Sequence, residues 1–195
     1  WPILHTFPTH FNVNNANWGI FEEVNKRFAD AACNEAAEGA TVWVHDYNLW
    51  LAPGYIRQQR PDLKIAFFHH TPFPGNDVFA ILPWREQILE SLLCCDVVGF
   101  HIPRYTENFA RAASTVVGAK RGSKVSVDQK FITVGTALSE GTVTSHLDHS
   151  GRRIQLLSSP VGTSPDVIQE LSWSASVESY GEMIVQDTKK GRKLI

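Results

Sequence analysis

The sequence predicts an α/β fold built on a doubly wound parallel sheet. Three short apolar runs, TVWV at 41–44, KIAFF at 64–68 and DVVGF at 96–100, are rich in the β-branched and aromatic residues that strands favour. Each run is almost continuously apolar, which is typical of strands covered on both faces. Segments with helical periodicity separate the runs, and this alternation of strand and helix is typical of a parallel sheet.

The helix predicted before the first strand carries an apolar stripe on one face. Its apolar residues recur three or four positions apart, at Trp18, Phe21, Val24, Phe28 and Ala32. Asn17 is placed to cap the amino end, because its side-chain oxygen can accept from a free backbone N–H group. Gly39 is placed to end the helix.

Three further helices follow the three predicted strands. Residues 53–60 form a helix that ends before Pro61, because proline lacks the backbone N–H that a continuing helix needs. Residues 84–95 place their larger apolar side chains on one face, namely Trp84, Ile88, Leu89, Leu92 and Leu93. Pro103 begins the last of these helices, since its fixed φ suits a first helical turn.

The alternation is less regular after the third strand and its helix. Residues 118–130 are polar and basic and predict a surface loop, and KFITVG at 130–135 predicts another strand. The two extended arms around residues 148–151 predict a hairpin, which we place outside the main pattern and near a domain edge.

A domain boundary is predicted near Gly162, where the sheet pattern lapses. Ser164 precedes Pro165 and can cap a new helix, and GRKLI at the end of the chain can begin a strand. We therefore divide the chain into a doubly wound α/β domain at residues 1–162 and the start of a second domain at residues 163–195.

Composition argues against several classes of protein. The net charge is −2 with acidic and basic residues interleaved, so we expect no nucleic-acid partner. No apolar stretch is long enough to span a bilayer, so we expect no membrane partner. The three cysteines are Cys33, Cys94 and Cys95, an odd number without C-x-x-C spacing, which favours reduced thiols in a cytoplasmic protein. The first residue is Trp1 rather than methionine, so we expect a piece of a longer protein.

Polar side chains gather where the three predicted strands end. The set comprises His45, Asp46, Tyr47, His69, His70, Thr71 and His101. Ligands of open α/β sheets bind beyond the carboxyl ends of the strands. The sequence therefore predicts a ligand site at this edge of the sheet.

Adjacent side chains on an extended segment point to opposite faces, so His69 and His70 cannot easily share one metal ion. We predict that His69 lies in the core and that His70 faces the ligand. His45 with His70 could hold a metal, but no third ligand is suitably spaced, and we expect no metal. Asp46 can orient the hydroxyl groups of a sugar-like ligand, or else serve as a helix cap or a salt-bridge partner.

Other residues leave alternatives open. The prolines at 72 and 74 either stiffen the loop so that Thr71 is held extended, or simply end the strand. Trp1 can stack on a sugar or belong to the core. Arg85 and Arg104 can reach a phosphate or lie solvated on helix faces. No glycine-rich phosphate loop and no G-x-S-x-G nucleophile motif occurs in the sequence.

Four motifs in order carry a resemblance to a known family. H-D-Y-x-L starts at His45, H-x-P-F-P at His70, L-P at Leu82 and D-x-x-G-F at Asp96. This set resembles the retaining glycosyltransferases of the GT-B type that include trehalose-6-phosphate synthases and glucosylglycerol-phosphate synthases. The chain is more similar to the second group, because trehalose-phosphate synthases usually have Leu-His where this sequence has His69-His70.

The resemblance implies two facing Rossmann-like domains with the active site between them. The amino-terminal domain would hold a phosphorylated acceptor, and the carboxyl-terminal domain a nucleotide-sugar donor, ADP-glucose or UDP-glucose. The expected reaction transfers glucose to glycerol 3-phosphate with retention and needs no cofactor. By the same resemblance, Trp1 and Tyr47 line the acceptor pocket, Asp46 binds acceptor hydroxyls, His70 contacts the transferred glucosyl group, and Thr71 helps to set the geometry.

The resemblance is incomplete, and other functions stay open. The family's glycine-rich donor loop would precede residue 1 and its R-x-D-x-x-K-G clamp would follow residue 195, so we expect these 195 residues alone to lack catalysis. The alternatives are a trehalose-6-phosphate synthase that uses glucose 6-phosphate, a non-catalytic sugar-phosphate-binding homologue, and a metal-dependent hydrolase. Whether the protein forms a homo-oligomer is left open.

Overall fold

The computed structural model describes residues 2–5, 7–128, 140–162, 168–170, 179–183 and 185. The chain divides into two compact units, Trp1–Pro160 and Val161–Ile195. The helices of the first unit are α1 (Trp18–Glu35), α2 (Ala52–Gln59), α3 (Asn76–Phe79), α4 (Arg85–Leu92) and α5 (Pro103–Val117). Its strands are β1 (Thr41–His45), β2 (Lys64–His69), β3 (Val97–Phe100), β4 (Lys120–Arg121), β5 (Lys124–Ser126), β6 (Thr142–Thr144), β7 (His146–His149) and β8 (Arg152–Ser158).

A mixed sheet, parallel over most of its width, forms the centre of the first unit. Its strand order in the described part of the chain is β1-β2-β3-β8-β7-β4. The first four strands in this order are parallel, while β7 and β4 are antiparallel to their neighbours. One row of buried residues runs straight across the parallel strands, namely Val44, Phe67, Val98 and Leu156. The predicted α/β class with a parallel sheet is therefore confirmed.

The predicted hairpin exists, and both of its strands belong to the main sheet. β7 and β8 pair as an antiparallel hairpin whose turn includes Ser150 and Gly151, both with positive φ. β8 also pairs in parallel with β3, which makes it the fourth parallel strand. The apolar side chains of Ile154 and Leu156 are buried, and this burial is what draws the strand into the sheet.

The polar segment after α5 is not only a loop as predicted. β4 extends the edge of the main sheet beside β7, and β5 pairs with β6 in a separate two-stranded sheet. Both strands are short and exposed, so they lack the apolar alternation on which a sequence-based prediction depends. The strand predicted at 130–135 lies wholly outside the described residues, as do Ser164, Pro165 and the strand predicted at 191–195.

The predicted stripe on α1 needs one correction. Asn17 does cap the helix, because its Oδ1 accepts from the N–H of Ile20 at 3.3 Å. Val24 and Phe28, however, are 40% and 57% exposed. The buried positions are instead Asn25, Ala29 and Cys33, so the buried face is rotated by about one residue from the predicted stripe.

An aromatic core lies directly beneath the carboxyl ends of β2 and β3. Its fully buried rings are Phe67, Phe73, Phe79, Phe100 and Phe109. Phe73 contacts three of the others, with ring centroids 4.9 to 5.8 Å apart. The Pro-Phe-Pro segment therefore fastens the loop after β2 to the core by burying Phe73 between its two prolines.

The second unit is described at fewer positions. Residues 168–170, 179–183 and 185 have helical conformation. None of the helices in the described part of either unit is long and apolar enough to cross a bilayer.

Candidate functional site

The polar residues predicted to gather at the carboxyl edge of the sheet do lie together. His45 ends β1 and His69 ends β2, while His101 follows the last residue of β3. In the register of these parallel strands His45 lies opposite Phe68, and His69 lies opposite Phe100. The parallel pairing therefore brings three strand ends, each with its imidazole, to one edge of the sheet.

The exposed part of this edge is a group of imidazoles. His45 Nδ1 and His70 Nε2 share a hydrogen bond of 2.9 Å, and the two rings stack with centroids 5.1 Å apart. The ring of His101 meets that of His70 edge-on at 5.4 Å. Phe68 contacts both His70 and His101, at 4.8 and 5.0 Å between centroids. His70 is thus exposed to solvent while its ring orientation is restricted by three neighbours.

Asp46 lies beside this group and is held by the loop after β2. Its Oδ1 accepts hydrogen bonds from the backbone N–H groups of His70 and Thr71, each at 3.2 Å. The hydroxyl of Thr71 donates to the same oxygen at 3.0 Å. The side chain keeps 22% of its surface exposed, so a ligand can still reach the carboxylate.

The backbone of Asp46 is strained. Its φ of 62° and ψ of 170° lie in a region that is almost reserved for glycine, where other residues cost about 1–3 kcal/mol. Such strain persists only where surrounding contacts enforce it, and it concentrates at functional sites. Here the three hydrogen bonds to Oδ1 enforce it.

The same contacts keep Asp46 ionised. Burial on its own would raise the pKa of Asp46, but hydrogen bonds from the backbone of Thr71 and Tyr47 and from the Thr71 hydroxyl outweigh it. The pKa of Asp46 therefore lies below its ordinary value. At neutral pH this side chain is a carboxylate that accepts hydrogen bonds, which is the form suited to bind hydroxyl groups.

His69 lies in the core, as predicted. It is fully buried, and its ring contacts those of Trp50, Phe73 and Phe100 at 5.5 to 5.8 Å. Burial lowers the pKa of His69 to about 4, although a hydrogen bond to the Thr71 backbone and the nearby carboxylate of Asp46 oppose the shift. His69 is therefore neutral at physiological pH.

The other residues considered for the site differ in what the structure shows of them. Tyr47 opens a short 3₁₀ turn, Tyr47–Leu49, directly after Asp46, and its partly buried ring meets that of Trp50 edge-on at 6.1 Å. Trp1 lies outside the described residues. Arg85 donates to the backbone oxygen of Leu82, and Arg104 pairs with Glu140, so each guanidinium already has a protein partner.

Asn25 supports the site, and its role was not predicted from the sequence. It is fully buried on α1, and its Oδ1 accepts from the N–H groups of Leu51 and Ala52 at 2.9 and 3.0 Å. Its Nδ2 donates to the backbone oxygens of Phe21 and Asn48. Asn25 thus caps α2 and ties α1 to the turn that carries Tyr47. The only sequence signal was a polar residue within an otherwise apolar helical face.

No group of three or more histidine, cysteine, aspartate or glutamate side chains is arranged to hold an ion in the described part of the chain. His45 and His70 direct their nitrogens at each other rather than at a common point. The edge is a set of hydrogen-bonding groups around one carboxylate, which suits a polyhydroxylated ligand.

Sequence comparisons place the chain among known proteins. It is 51% identical over all 195 residues to a glucosylglycerol-phosphate synthase of Synechocystis sp., and it covers 39% of that protein. It is 47% identical over 133 residues to a trehalose-6-phosphate synthase of Mycolicibacterium gilvum. This match covers 67% of this chain and 26% of that protein. The chain thus spans less than half the length of these relatives.

Structural comparisons confirm the fold. The N-terminal domain of a Candida albicans trehalose-6-phosphate phosphatase matches with a TM-score of 0.75 at 24% identity, covering 95% of this chain and 36% of that one. A Burkholderia xenovorans α,α-trehalose-phosphate synthase, solved with glucose 6-phosphate, matches with a TM-score of 0.70 at 23% identity. The match covers 88% of this chain and 34% of that one.

A family model agrees with the resemblance drawn from the four sequence motifs. The model described as glycosyltransferase family 20 matches residues 1–195, which is the whole of this sequence. The chain therefore belongs to glycosyltransferase family 20.

Proposed function

We propose that this chain is the acceptor-binding part of a glucosylglycerol-phosphate synthase, which transfers glucose from ADP-glucose to glycerol 3-phosphate with retention. The observation that carries the proposal is the meeting of Asp46 and His70 on one exposed edge of the sheet. The 51% identity to a synthase of that name supports this choice of acceptor. Residues 1–162 would form the acceptor-side domain, and residues 163–195 would begin the donor-side domain.

Asp46 is proposed to bind the hydroxyl groups of the acceptor. Its carboxylate is ionised, partly exposed and fixed by three hydrogen bonds to Oδ1. A fixed carboxylate orients a hydroxyl without losing side-chain freedom when the ligand binds, which strengthens binding. Trp1 and Tyr47 would line the same pocket, and Thr71 would set the position of the carboxylate.

His70 is proposed to contact the glucosyl group during transfer. Its ring is exposed, and His45, Phe68 and His101 restrict its orientation. A hydrogen bond from a preoriented imidazole can stabilise charge that develops on the sugar as the bond to the nucleotide breaks. His45 would hold the ring in that orientation through the shared hydrogen bond.

A retaining transfer of this kind needs orientation more than acid–base groups. Retaining glycosidases place two carboxylates on either side of the reacting carbon. Asp46 is proposed here to orient the acceptor instead, and the loop after β2 holds its carboxylate in place. The acceptor would attack from the face that the nucleotide leaves, and the departing phosphate would take its proton. Orienting two substrates can contribute about 7–11 kcal/mol to lowering the barrier. The scheme uses no metal and no organic cofactor.

One alternative has a specific observation in its favour. The chain is also 47% identical over 133 residues to a trehalose-6-phosphate synthase, so glucose 6-phosphate is a second candidate acceptor. A non-catalytic homologue that only binds a sugar phosphate would keep the same edge of the sheet. The protein would work in the cytoplasm in each case, where nucleotide sugars are made.

The test uses the full-length protein that contains this chain. Each donor, ADP-glucose or UDP-glucose, is combined with each acceptor, glycerol 3-phosphate or glucose 6-phosphate, in a separate reaction. The release of the nucleoside diphosphate, ADP or UDP, is measured. We expect turnover with ADP-glucose and glycerol 3-phosphate, and a loss of at least about a hundredfold in the Asp46→Asn and His70→Ala variants. Product from glucose 6-phosphate alone would instead identify a trehalose-6-phosphate synthase.

A further inference from the structure

One buried imidazole has no part in the chemistry proposed above. His69 has no exposed surface, and its Nε2 has no hydrogen-bond partner among the described residues. Its Nδ1, in contrast, lies 2.8 Å from the backbone oxygen of Thr71 and 3.2 Å from the Thr71 hydroxyl. Burying a polar ring in an aromatic core costs free energy unless its polar atoms are hydrogen-bonded, and within the described part of the chain only Nδ1 is.

The direction of these hydrogen bonds is fixed by their chemistry. A backbone oxygen can only accept, so His69 Nδ1 must carry the proton and donate to Thr71. An ionised carboxylate can also only accept, so the Thr71 hydroxyl must donate to Asp46 Oδ1. The oxygen of that hydroxyl is then left to accept from His69 Nδ1. The result is a one-way chain of donors from His69 through Thr71 to Asp46.

We propose that His69, as the neutral Nδ1–H tautomer, is a positioning residue that fixes Thr71 and, through it, the carboxylate of Asp46 toward the acceptor. The inference rests on the proposed function, because it assigns Asp46 to the acceptor. His69 itself is covered by the core and touches no substrate.

The geometry explains why a histidine suits this position. The loop must turn the backbone N–H groups of both His70 and Thr71 toward Asp46, and the strained backbone of Asp46 depends on those bonds. An aliphatic residue would fill the same space without donating to Thr71. The hydroxyl of Thr71 would then be free to rotate away from Asp46.

The test compares His69→Asn with His69→Leu in the full-length enzyme. Asparagine carries an N–H group on Cγ, as histidine does through Nδ1, so it can restore the bond to Thr71 while lacking the rest of the ring. We expect His69→Leu to raise the KM for glycerol 3-phosphate by about tenfold or more, the effect of losing one well-placed hydrogen bond. We expect His69→Asn to stay within about threefold of the wild type in the same constant.

Phe67→Leu is the matched control for packing. Phe67 is as deeply buried on the same strand, and its ring lies 6.2 Å from that of His69, but it has no polar side-chain atom. We expect this variant to lower the melting temperature without raising the KM for glycerol 3-phosphate. The proposal would be overturned if His69→Leu raised the KM for glycerol 3-phosphate no more than Phe67→Leu does. It would also be overturned if His69→Asn raised that KM as much as His69→Leu does.

A second readout separates this inference from the proposed function. Hydrogen exchange at the Thr71 amide, followed in the full-length protein by NMR, reports its bond to Asp46 without any substrate. Faster exchange in His69→Leu than in His69→Asn and Phe67→Leu supports the positioning role even if the enzyme proves to use another acceptor. Equal exchange in all three variants would overturn it even if the synthase activity is found.

Discussion

At the scale of single residues, Asp46 shows how local strain and hydrogen bonding are balanced. Its φ of 62° costs about 1–3 kcal/mol, and three bonds from the loop after β2 to Oδ1 offset that cost. A glycine would remove the strain but would also remove the carboxylate. The strained backbone at this position thus lowers the folding stability while it holds a charged group in one orientation, which is typical of functional sites.

Substitution of Asp46 by glycine and by alanine should separate strain from hydrogen bonding. Both variants lose the bonds to Oδ1, but only glycine relieves the unfavourable backbone conformation. We expect Asp46→Gly to be more stable than Asp46→Ala by about 1 kcal/mol, measured by urea unfolding. Both should be inactive in glucosyl transfer. Equal unfolding midpoints would show that the backbone of Asp46 is not strained in solution.

His69 predicts a pH dependence of stability. Its folded pKa of about 4 lies below the unfolded value near 6.5, so the unfolded chain binds a proton first as the pH falls. Stability should therefore be complete above about pH 6.5 and should fall by roughly 3 kcal/mol between pH 6.5 and 4. His69→Asn should lose the part of this fall that comes from His69, while the part from His101, whose pKa is also lowered by burial, should remain. Asp46, whose pKa is lowered, loses its contribution only at lower pH, so the two windows can be told apart.

At the scale of elements, Asn25 joins α1, the turn at Tyr47–Leu49 and the start of α2. α2 has no side-chain cap of its own at Leu51, and the Oδ1 of Asn25 serves the first N–H groups of α2 instead. A helix in another part of the sequence thus satisfies donors that would otherwise be buried without partners. The turn after β1, and with it Tyr47, is held in place by the same side chain.

Asn25→Ala should destabilise the protein by about 3 kcal/mol. The change leaves two buried N–H groups and two backbone oxygens without this partner, and each buried unsatisfied group costs about 1–3 kcal/mol. Asn34→Ala is the matched control, because Asn34 is an exposed position of the same helix. We expect little change in that variant, and both are measured by urea unfolding. Equal effects would mean that only helix propensity was changed.

The elements show how far the sequence could predict the fold. The three apolar runs and the helices between them were predicted to within a few residues, because burial of parallel strands leaves a strong local pattern. The place of β8 beside β3 was not predicted, since it depends on pairing between residues 58 positions apart in the sequence. Asn25 was not identified either, because one polar residue in an apolar stripe does not reveal its distant partners.

At the scale of the whole molecule, the amino and carboxyl edges of the parallel sheet carry different groups of polar side chains. The amino edge carries a charged cluster in which Asp96 accepts from Arg57, Arg152 and the N–H of Ile65. This cluster ties α2, β2, β3 and β8 together. The carboxyl edge carries Asp46 and the imidazoles. The D-x-x-G-F motif is thus structural at its aspartate, while H-D-Y-x-L and H-x-P-F-P supply the candidate site.

This separation predicts how variants in the chain affect the two substrates of the full-length protein. At the carboxyl edge, Asp46 is proposed to bind the acceptor and His70 to contact the transferred glucosyl group, while the nucleotide part of the donor would be held mainly by other residues of the full-length protein. We expect Asp46→Asn to raise the KM for glycerol 3-phosphate by about tenfold or more, because a neutral amide replaces the carboxylate that is proposed to bind its hydroxyls. The affinity for ADP, measured by calorimetry, should change by less than about twofold. A parallel loss of ADP affinity would place Asp46 in the donor site and contradict the division of substrates between the two domains.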